Sequence, residues 1–402
     1  MMGEMIVMKK LLFVHGGEKV KEDEEKNLYT DGSYSCEVWR RYKTIAPKIS
    51  VVFRKEKNIY PKDEAQKKFQ LLDKDIVFHE AIDKKTNIKS FFSIRNEIEN
   101  RKLIKKLVKE NDYVIARVPS GISYYAIKIA NKYNKKLLVE VVGCPFDCMW
   151  NHSIRGKILA IPEYLRLKYY MKKTSKAIYV SENFLQKRYP NKGNKISCSD
   201  VVLNGCSEID LKERIKKIKT YDRNHIYIIG TVGAVNTKYK GQQYVIKAIE
   251  KLIKKGYNLE YYIVGGGDNH YLKKLAQRLG IENRIKFMGP KPHQEVFDFM
   301  RKIDIYVQPS NAESHGRVII EAMSVACPCI GSSTGGIPEL IEDKYVFKRK
   351  KYKSLIEKIE LMINEGLLES SKYSYEKAKE FTEEKLNEKR KEIYLMFRNG
   401  EK

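Results

Sequence analysis

Short apolar runs alternate with stretches of helical periodicity along the whole chain. Leu11–Val14, Ile49–Phe53, Asp75–Phe78, Tyr113–Ala116, Leu137–Val142 and Ala177–Val180 read as strands in the first half. Ile226–Val232, Leu259–Val264, Ile285–Met288, Ile305–Gln308 and Pro328–Gly331 do so in the second. The runs are nearly unbroken, as parallel strands covered on both faces require. Between them, Tyr244, Val245, Ala248, Ile249 and Leu252 recur at helical spacing. Repeated βα units predict an α/β chain with two doubly wound, Rossmann-like parallel sheets. The first domain is expected over 1–205 and the second over 225–373. Residues 206–224, where Glu-Arg-Ile-Lys-Lys-Ile-Lys precedes a fresh β pattern, read as a linker. The tail from Ser374 to Phe397 reads as one long charged helix, with Phe381, Ile393, Tyr394 and Phe397 on its apolar side. Segment 374–402 is expected to pack back onto the first domain. Two such sheets face each other across a cleft at their strand C-terminal edges, where ligands of open α/β sheets bind.

Composition adds limits. The 402 residues suffice for two cores. No run reaches the roughly 18 apolar residues that cross a bilayer, and Leu11–Val14 is too short for a signal segment. A soluble, cytoplasmic protein is expected, with Met8, just before Lys9-Lys10, as its natural start. Seven cysteines, an odd number in a large chain without a secretion signal, read as thiols rather than disulfides. Neither Cys144/Cys148 nor Cys327/Cys329 has a second pair at zinc spacing, so no metal site is expected. The net charge of +27 favours anionic partners, although much of it reflects a general abundance of Lys. Two stretches mix bases with apolar residues at helical spacing, Ile98–Lys109 and Tyr164–Lys173. Such helices can lie on the inner face of an anionic membrane, although more of them simply pack on a sheet.

Three segments carry candidate chemistry. Pro309-Ser-Asn-Ala-Glu313-Ser-His-Gly316-Arg-Val-Ile-Ile-Glu321 follows a strand and enters a helix near Arg317. Unpaired amides and the positive dipole end at Gly316, Arg317 and Val318 make a seat for phosphate. Glu313 before that seat and Glu321 after it are placed to accept hydrogen bonds from hydroxyls at the two ends of a nucleotide sugar. Each glutamate alone would pass for a solvated residue. In the second segment, Gly230 to Gly241, a strand ends in a loop and Lys240 opens the next helix, where an ammonium neutralises diphosphate oxygens. Lys238 is its rival. The third, Gly265-Gly266-Gly267, has His270 where a dinucleotide fingerprint needs Gly, so it reads as a turn.

In order and spacing, Lys240-Gly241, Val264-Gly265-Gly266-Gly267, Val307-Gln-Pro309-Ser310, Glu313 through Glu321 and Gly335-Gly336-Ile337-Pro338-Glu339 resemble retaining glycosyltransferases of family four. These have the GT-B fold. The first half is less strictly similar to the acceptor domain of capsule and exopolysaccharide members, through His15-Gly16-Gly17, Tyr29 to Tyr34, Glu140-Val-Val-Gly143 and Val180 to Pro190. Asn204-Gly205 resembles the family's interdomain turn. The resemblance implies that Glu321 holds the ribose and Glu313 the donor sugar. It also implies that Lys240, with the amides around Gly316, holds the diphosphate, and that Gly16-Gly17 approaches from the other domain. Two departures stand out. Ala234 replaces the family's usual Arg, leaving Arg317 or Lys238 to supply that charge. Gly143-Cys144 stand where many members have a His, and His152 lies further along.

The expected reaction is transfer of a sugar from a nucleoside diphosphate, UDP ahead of GDP, to a hydroxyl of a glycan or lipid-linked acceptor, with retention and no metal or other cofactor. Base contacts are expected from the backbone around Gly289-Pro290-Lys291, and acceptor contacts from Asp31, Asp147 or His152. The rivals are a nucleotide-sugar epimerase or phosphorylase of the same fold, a basic nucleic-acid-binding protein, and a non-catalytic transferase-like partner. Sugar consumption without an acceptor, steep salt-dependent RNA binding, and failure to hydrolyse any donor would mark them in turn.

Overall fold

The structure is a computed structural model that describes residues 8–31, 34–82, 94–203 and 206–400. Gly32-Ser33, within the stretch Tyr29 to Tyr34, and Asn204-Gly205 lie outside the described residues. The first sheet contains β1 (Lys10–Asp23), β2 (Leu28–Thr30), β3 (Lys48–Tyr60), β4 (Gln70–Leu71), β5 (Ile76–Glu80), β6 (Tyr113–Val118), β7 (Lys136–Val141), β8 (Lys176–Tyr179) and β9 (Asn194–Ser197). Its parallel body runs β5-β3-β1-β6-β7-β8-β9, and β2 and β4 add antiparallel beside the far half of β1. The second sheet contains β10 (Tyr227–Val232), β11 (Leu259–Val264), β12 (Ile285–Gly289), β13 (Ile305–Gln308), β14 (Cys329–Ser332) and β15 (Val346–Phe347). It is parallel throughout, in the order β12-β11-β10-β13-β14-β15.

Alternation along each strand feeds two layers of the first lobe. Leu12, Val14, Val114 and Val139 face one core with Leu107, Ile127, Leu167 and Met171 from the helices Ile94–Glu110, Gly121–Lys132 and Ile154–Lys172. Leu11, Phe13, Ile115 and Leu138 face the other with Trp39, Tyr42, Ile393 and Phe397. The C-terminal helix Glu383–Asn399 therefore lies on the first lobe, where the Arg398 carbonyl accepts from Lys136 and Tyr113, and Arg390 donates to the Ser199 carbonyl.

Several expectations change. The tail is two helices, Leu367–Ala378 and Glu383–Asn399, broken by a turn over Lys379–Phe381. Leu367–Ala378 packs on Glu208–Lys219, so only the final helix crosses over. Segment 206–224, expected as a linker, is largely helical. It carries the helix Glu208–Lys219, whose buried Arg214 donates to the Met300 and Ile303 carbonyls of the second lobe. Gly16 and Gly17 lie inside β1, where its register with β3 shifts between Val14 and Lys19. The expected strand Leu11–Val14 is part of a longer one that runs on through the polar residues Glu18, Lys21 and Asp23. They are buried in β1, with Lys21 beside both Glu18 and Asp31, and Asp23 accepting from Asn27 and the Tyr29 hydroxyl. β2, β4, β9 and β15 were not anticipated. Among the described residues no helix is long and apolar enough to cross a membrane.

Candidate functional site

The sheet order reverses between β10 and β13, so the segments leaving these neighbouring strands diverge and open a crevice. After β10, a tight turn over Lys238–Lys240 leads into the helix Gln242–Lys254. After β13, the chain runs to Gly316 and the helix Arg317–Ser324. Gly316 has φ +93°, a left-handed conformation that glycine adopts without a Cβ penalty. Its carbonyl accepts from the Ile319 amide at 2.9 Å, so of the first helical turn the amides of Arg317 and Val318 are the ones without an intrahelical acceptor. The two loops are joined where the Tyr239 carbonyl accepts from the Asn311 amide at 2.6 Å.

Lys240 and Glu313 meet in this crevice, with Nζ 3.3 Å from Oε2. Gln308 supports Glu313 by donating to Ser310 Oγ at 2.9 Å and reaching Glu313 Oε2 at 3.5 Å. Gly335, at φ +58°, lets the next loop press on this one: a Cβ there would sit 1.6 Å from the Glu313 carbonyl oxygen. Both Lys240 and Glu313 line a cavity of about 750 Å³ between the lobes, together with Gly16, Gly17, Ser120 and Asp147 from the first lobe. Gly16 is fixed there by donating to Ser120 Oγ at 3.1 Å.

The remaining candidates divide. Glu321 is outside this cavity lining; its Oε1 lies 3.5 Å from Nε2 of His293, at the start of the helix that follows β12. That contact raises the pKa of His293 above the ordinary histidine value, chiefly through the hydrogen bond to Glu321. Lys238 is exposed over the Tyr271 ring and does not line the cavity. Arg317 is exposed at the helix start, and Val318 is half-buried. Asp147 lines the cavity, but Arg188 pairs with its carboxylate at 2.9 Å. Asp31 is exposed, paired with Lys21 and away from the cavity. His152 is exposed at the end of the helix Pro145–His152 and is not brought to the cavity either. Ala234, in place of a guanidinium, is exposed, and its carbonyl accepts from Gln242 at 3.1 Å.

Contacts between the lobes come from residues that the sequence did not single out for this role. The Glu339 carboxylate accepts from the amides of Glu182, Asn183 and Phe184 at 2.7, 3.1 and 2.6 Å, closing the start of the short helix Phe184–Arg188 across the gap. Ser314 Oγ accepts from the Cys144 amide at 2.9 Å, and His315 Nε2 lies 2.7 Å from Ser199 Oγ. Burial opposes ionisation of Asp200, but Arg317 and Arg117 outweigh it and hold its carboxyl well below the usual range. Burial pushes His315 down to about 4. Burial, reinforced by Arg117, pushes His15 down to about 3, and its Nδ1 sits 2.6 Å from the Tyr34 hydroxyl. Both imidazoles are therefore neutral at physiological pH. The Cys144 thiol in the cavity wall is pushed up to about 11 by burial, so it is no thiolate nucleophile. Among the described residues no three His, Cys, Asp or Glu side chains converge as a metal site.

Residues 212–381 match the family described as Glycosyl transferases group 1. Protein CapJ of Staphylococcus aureus is 32% identical over 395 residues, which cover 95% of this chain and 90% of that protein. Two solved structures share the fold at low identity. One is sucrose-phosphate synthase from Thermosynechococcus elongatus, at TM-score 0.69 and 14% identity, covering 98% of this chain and 100% of that one. The other is HepE of Anabaena in complex with UDP, at TM-score 0.65 and 15% identity, covering 96% of this chain and 99% of that one.

Proposed function

The chain belongs to the group 1 glycosyl transferases, and from that premise we propose that it is a retaining, family-four enzyme of surface-glycan assembly that uses a UDP-sugar. It is a glycosyltransferase of two Rossmann-like lobes in the GT-B arrangement. Placement in capsule or exopolysaccharide assembly draws support from the likeness to CapJ along nearly the whole of both chains. UDP as the donor nucleotide draws support from the UDP bound in HepE, a protein of the same fold. Action beside an anionic membrane, on a glycan or lipid-linked acceptor, completes the reading.

One observation carries the proposal. An ammonium and a carboxylate, Lys240 and Glu313, meet at the switch point of the second sheet and face a cavity walled by the other lobe. The donor diphosphate is assigned to Lys240 and the amides at the start of Arg317–Ser324, the donor sugar to Glu313, and the ribose to Glu321, which must exchange His293 for hydroxyls. In the reaction the bond from the anomeric carbon to the diphosphate oxygen breaks, and a bond to the acceptor oxygen forms on the same face. The acceptor proton passes to the departing diphosphate. Lys240 and the helix amides stabilise the charge that grows on that leaving group, which is where differential binding lowers the barrier. This route asks for no metal.

The test is calorimetric titration with UDP. Lys240→Ala and Glu321→Ala should each weaken binding by about tenfold or more, or about 1.4 kcal/mol. Wild-type affinity in both variants would remove the donor site from this crevice.

A further inference from the structure

Of the two basic stretches, the helix Ile94–Glu110 buries Ile104, Leu107 and Val108 in the first lobe's core. The helix Ile154–Lys172 behaves differently. It buries Ala160, Leu167 and Met171, yet a second apolar stripe on the same helix faces outward. Ile154 is 80% exposed, Ile158 72%, Ile161 54%, Leu165 56% and Tyr169 53%. The steps between these residues are four, three, four and four, which at 3.6 residues per turn line up on one face. Lys157 and Lys168 border the stripe on one side, Arg155 and Lys173 on the other, and Lys172 continues it. Glu163 is the helix's one acidic residue, and it turns toward the cavity wall.

We infer that this stripe is a docking surface for an anionic lipid bilayer, on which the helix lies parallel to the membrane plane. A band of large aliphatic side chains bordered on both sides by long cationic ones is what the interfacial layer takes up. The apolar band enters the acyl boundary, while the lysine and arginine stems reach back to phosphates. Trp150, 40% exposed at the end of the preceding helix with the Lys157 ammonium over its ring, adds an aromatic suited to the headgroup region. A second copy of the chain fits poorly, because it would bring these lysines against their own images. The same helix supplies Glu163 and Arg166 to the cavity lining. Docking would therefore hold the cavity about one helix diameter, roughly 10 Å, from the lipid surface. That favours an acceptor carried on a lipid. The lipid-linked acceptor rests on the transferase reading above; the membrane surface itself does not.

The experiment is flotation of the full chain with phosphatidylcholine vesicles, with and without phosphatidylglycerol, alongside sedimentation without vesicles and a UDP titration of every variant. Wild type should float with the anionic vesicles roughly tenfold more than with the neutral ones. Trp150 emission should shift to the blue as it does so, since the chain's other tryptophan, Trp39, is buried. A chain carrying Ile158→Glu, Ile161→Glu and Leu165→Glu together should lose flotation while keeping its melting temperature and UDP titration. A chain carrying Lys157→Glu, Lys168→Glu and Lys172→Glu should lose the preference for anionic vesicles. Wild type staying in the aqueous fraction, or a triple-glutamate stripe that floats as before, would overturn the inference. So would a wild-type dimer that the stripe variant breaks, with no flotation by either. The UDP titration stands apart from these outcomes, so failure of the donor site and failure of the surface are told apart.

Discussion

Replacing Glu339 by alanine should loosen the two lobes. Its carboxylate accepts from three consecutive amides, those of residues 182 to 184, at distances between 2.6 and 3.1 Å. The amides of Asn183 and Phe184, at the N-cap and first position of the helix, are ones that a helix start leaves without partners, and here the acceptor comes from the opposite lobe. Loss of a capping acceptor costs about 0.5–2 kcal/mol, and loss of a negative charge at a helix start adds about 0.3–1 kcal/mol. The amides are accessible, so water takes over part of their hydrogen bonding, and the charge-assisted bonds are not worth their buried value. A net cost of about 1–3 kcal/mol follows, equivalent to a shift of roughly 5- to 140-fold in a local opening equilibrium. Hydrogen exchange read by mass spectrometry measures that directly: residues 182–184 should exchange faster by this factor in Glu339→Ala. X-ray scattering should show a larger radius of gyration. Glu339→Gln should be intermediate, because its amide keeps one carbonyl oxygen but sets an NH2 group against a donor. Wild-type exchange at 182–184 together with an unchanged radius of gyration would show that Glu339 does not hold the lobes, and the reasoning would fail.

Two further predictions concern buried groups. His315, with a folded value of about 4 against an ordinary 6.5, stabilises the fold as a neutral ring. That contribution, about 3 kcal/mol, is complete above pH 6.5 and lost as pH falls toward 4. Glu18, pushed up to about 7 mainly by burial, works in the opposite direction over part of that window. The informative quantity is therefore the difference between wild type and His315→Gln in melting temperature, which should narrow from pH 7.5 to pH 5; a constant difference would refute the assignment. Thiol labelling should be fast at the exposed Cys36 and Cys148 and slow at the buried Cys144, Cys198, Cys327 and Cys329. Because Cys148 lines the cavity, saturating UDP-sugar should slow its labelling but not that of Cys36, and equal slowing or none would count against occupation of the cavity.

The second lobe was readable because its central strands are largely covered on both faces, β13 and β14 completely so. Such strands spell continuous apolar runs, and β11 and β13 begin and end where those runs do. The meeting of Lys240 with Glu313 was also implicit, since loops leaving neighbouring strands at a switch point must share a crevice. The far half of β1 was not readable. Gly16 to Asp23 is mostly polar, and its ladder with β3 together with the partners of Glu18, Lys21 and Asp23, drawn from β2 and its flanks, makes a strand of it. Glu339 illustrates the same limit at longer range: its acceptor role depends on amides more than 150 positions away, and along the chain it looks like any solvated acid. The helix Ile154–Lys172 sharpens the point. Its outward residues recur with the period of a core-facing helix, and its inward residues do too. Periodicity establishes that a helix has an apolar face but is silent on what covers it. Of the two stripes on this helix, the fold covers one among the described residues, and the other is the surface inferred above to meet the bilayer. Only the packed structure separates them, because a stripe is identified as unoccupied by its neighbours rather than by its letters.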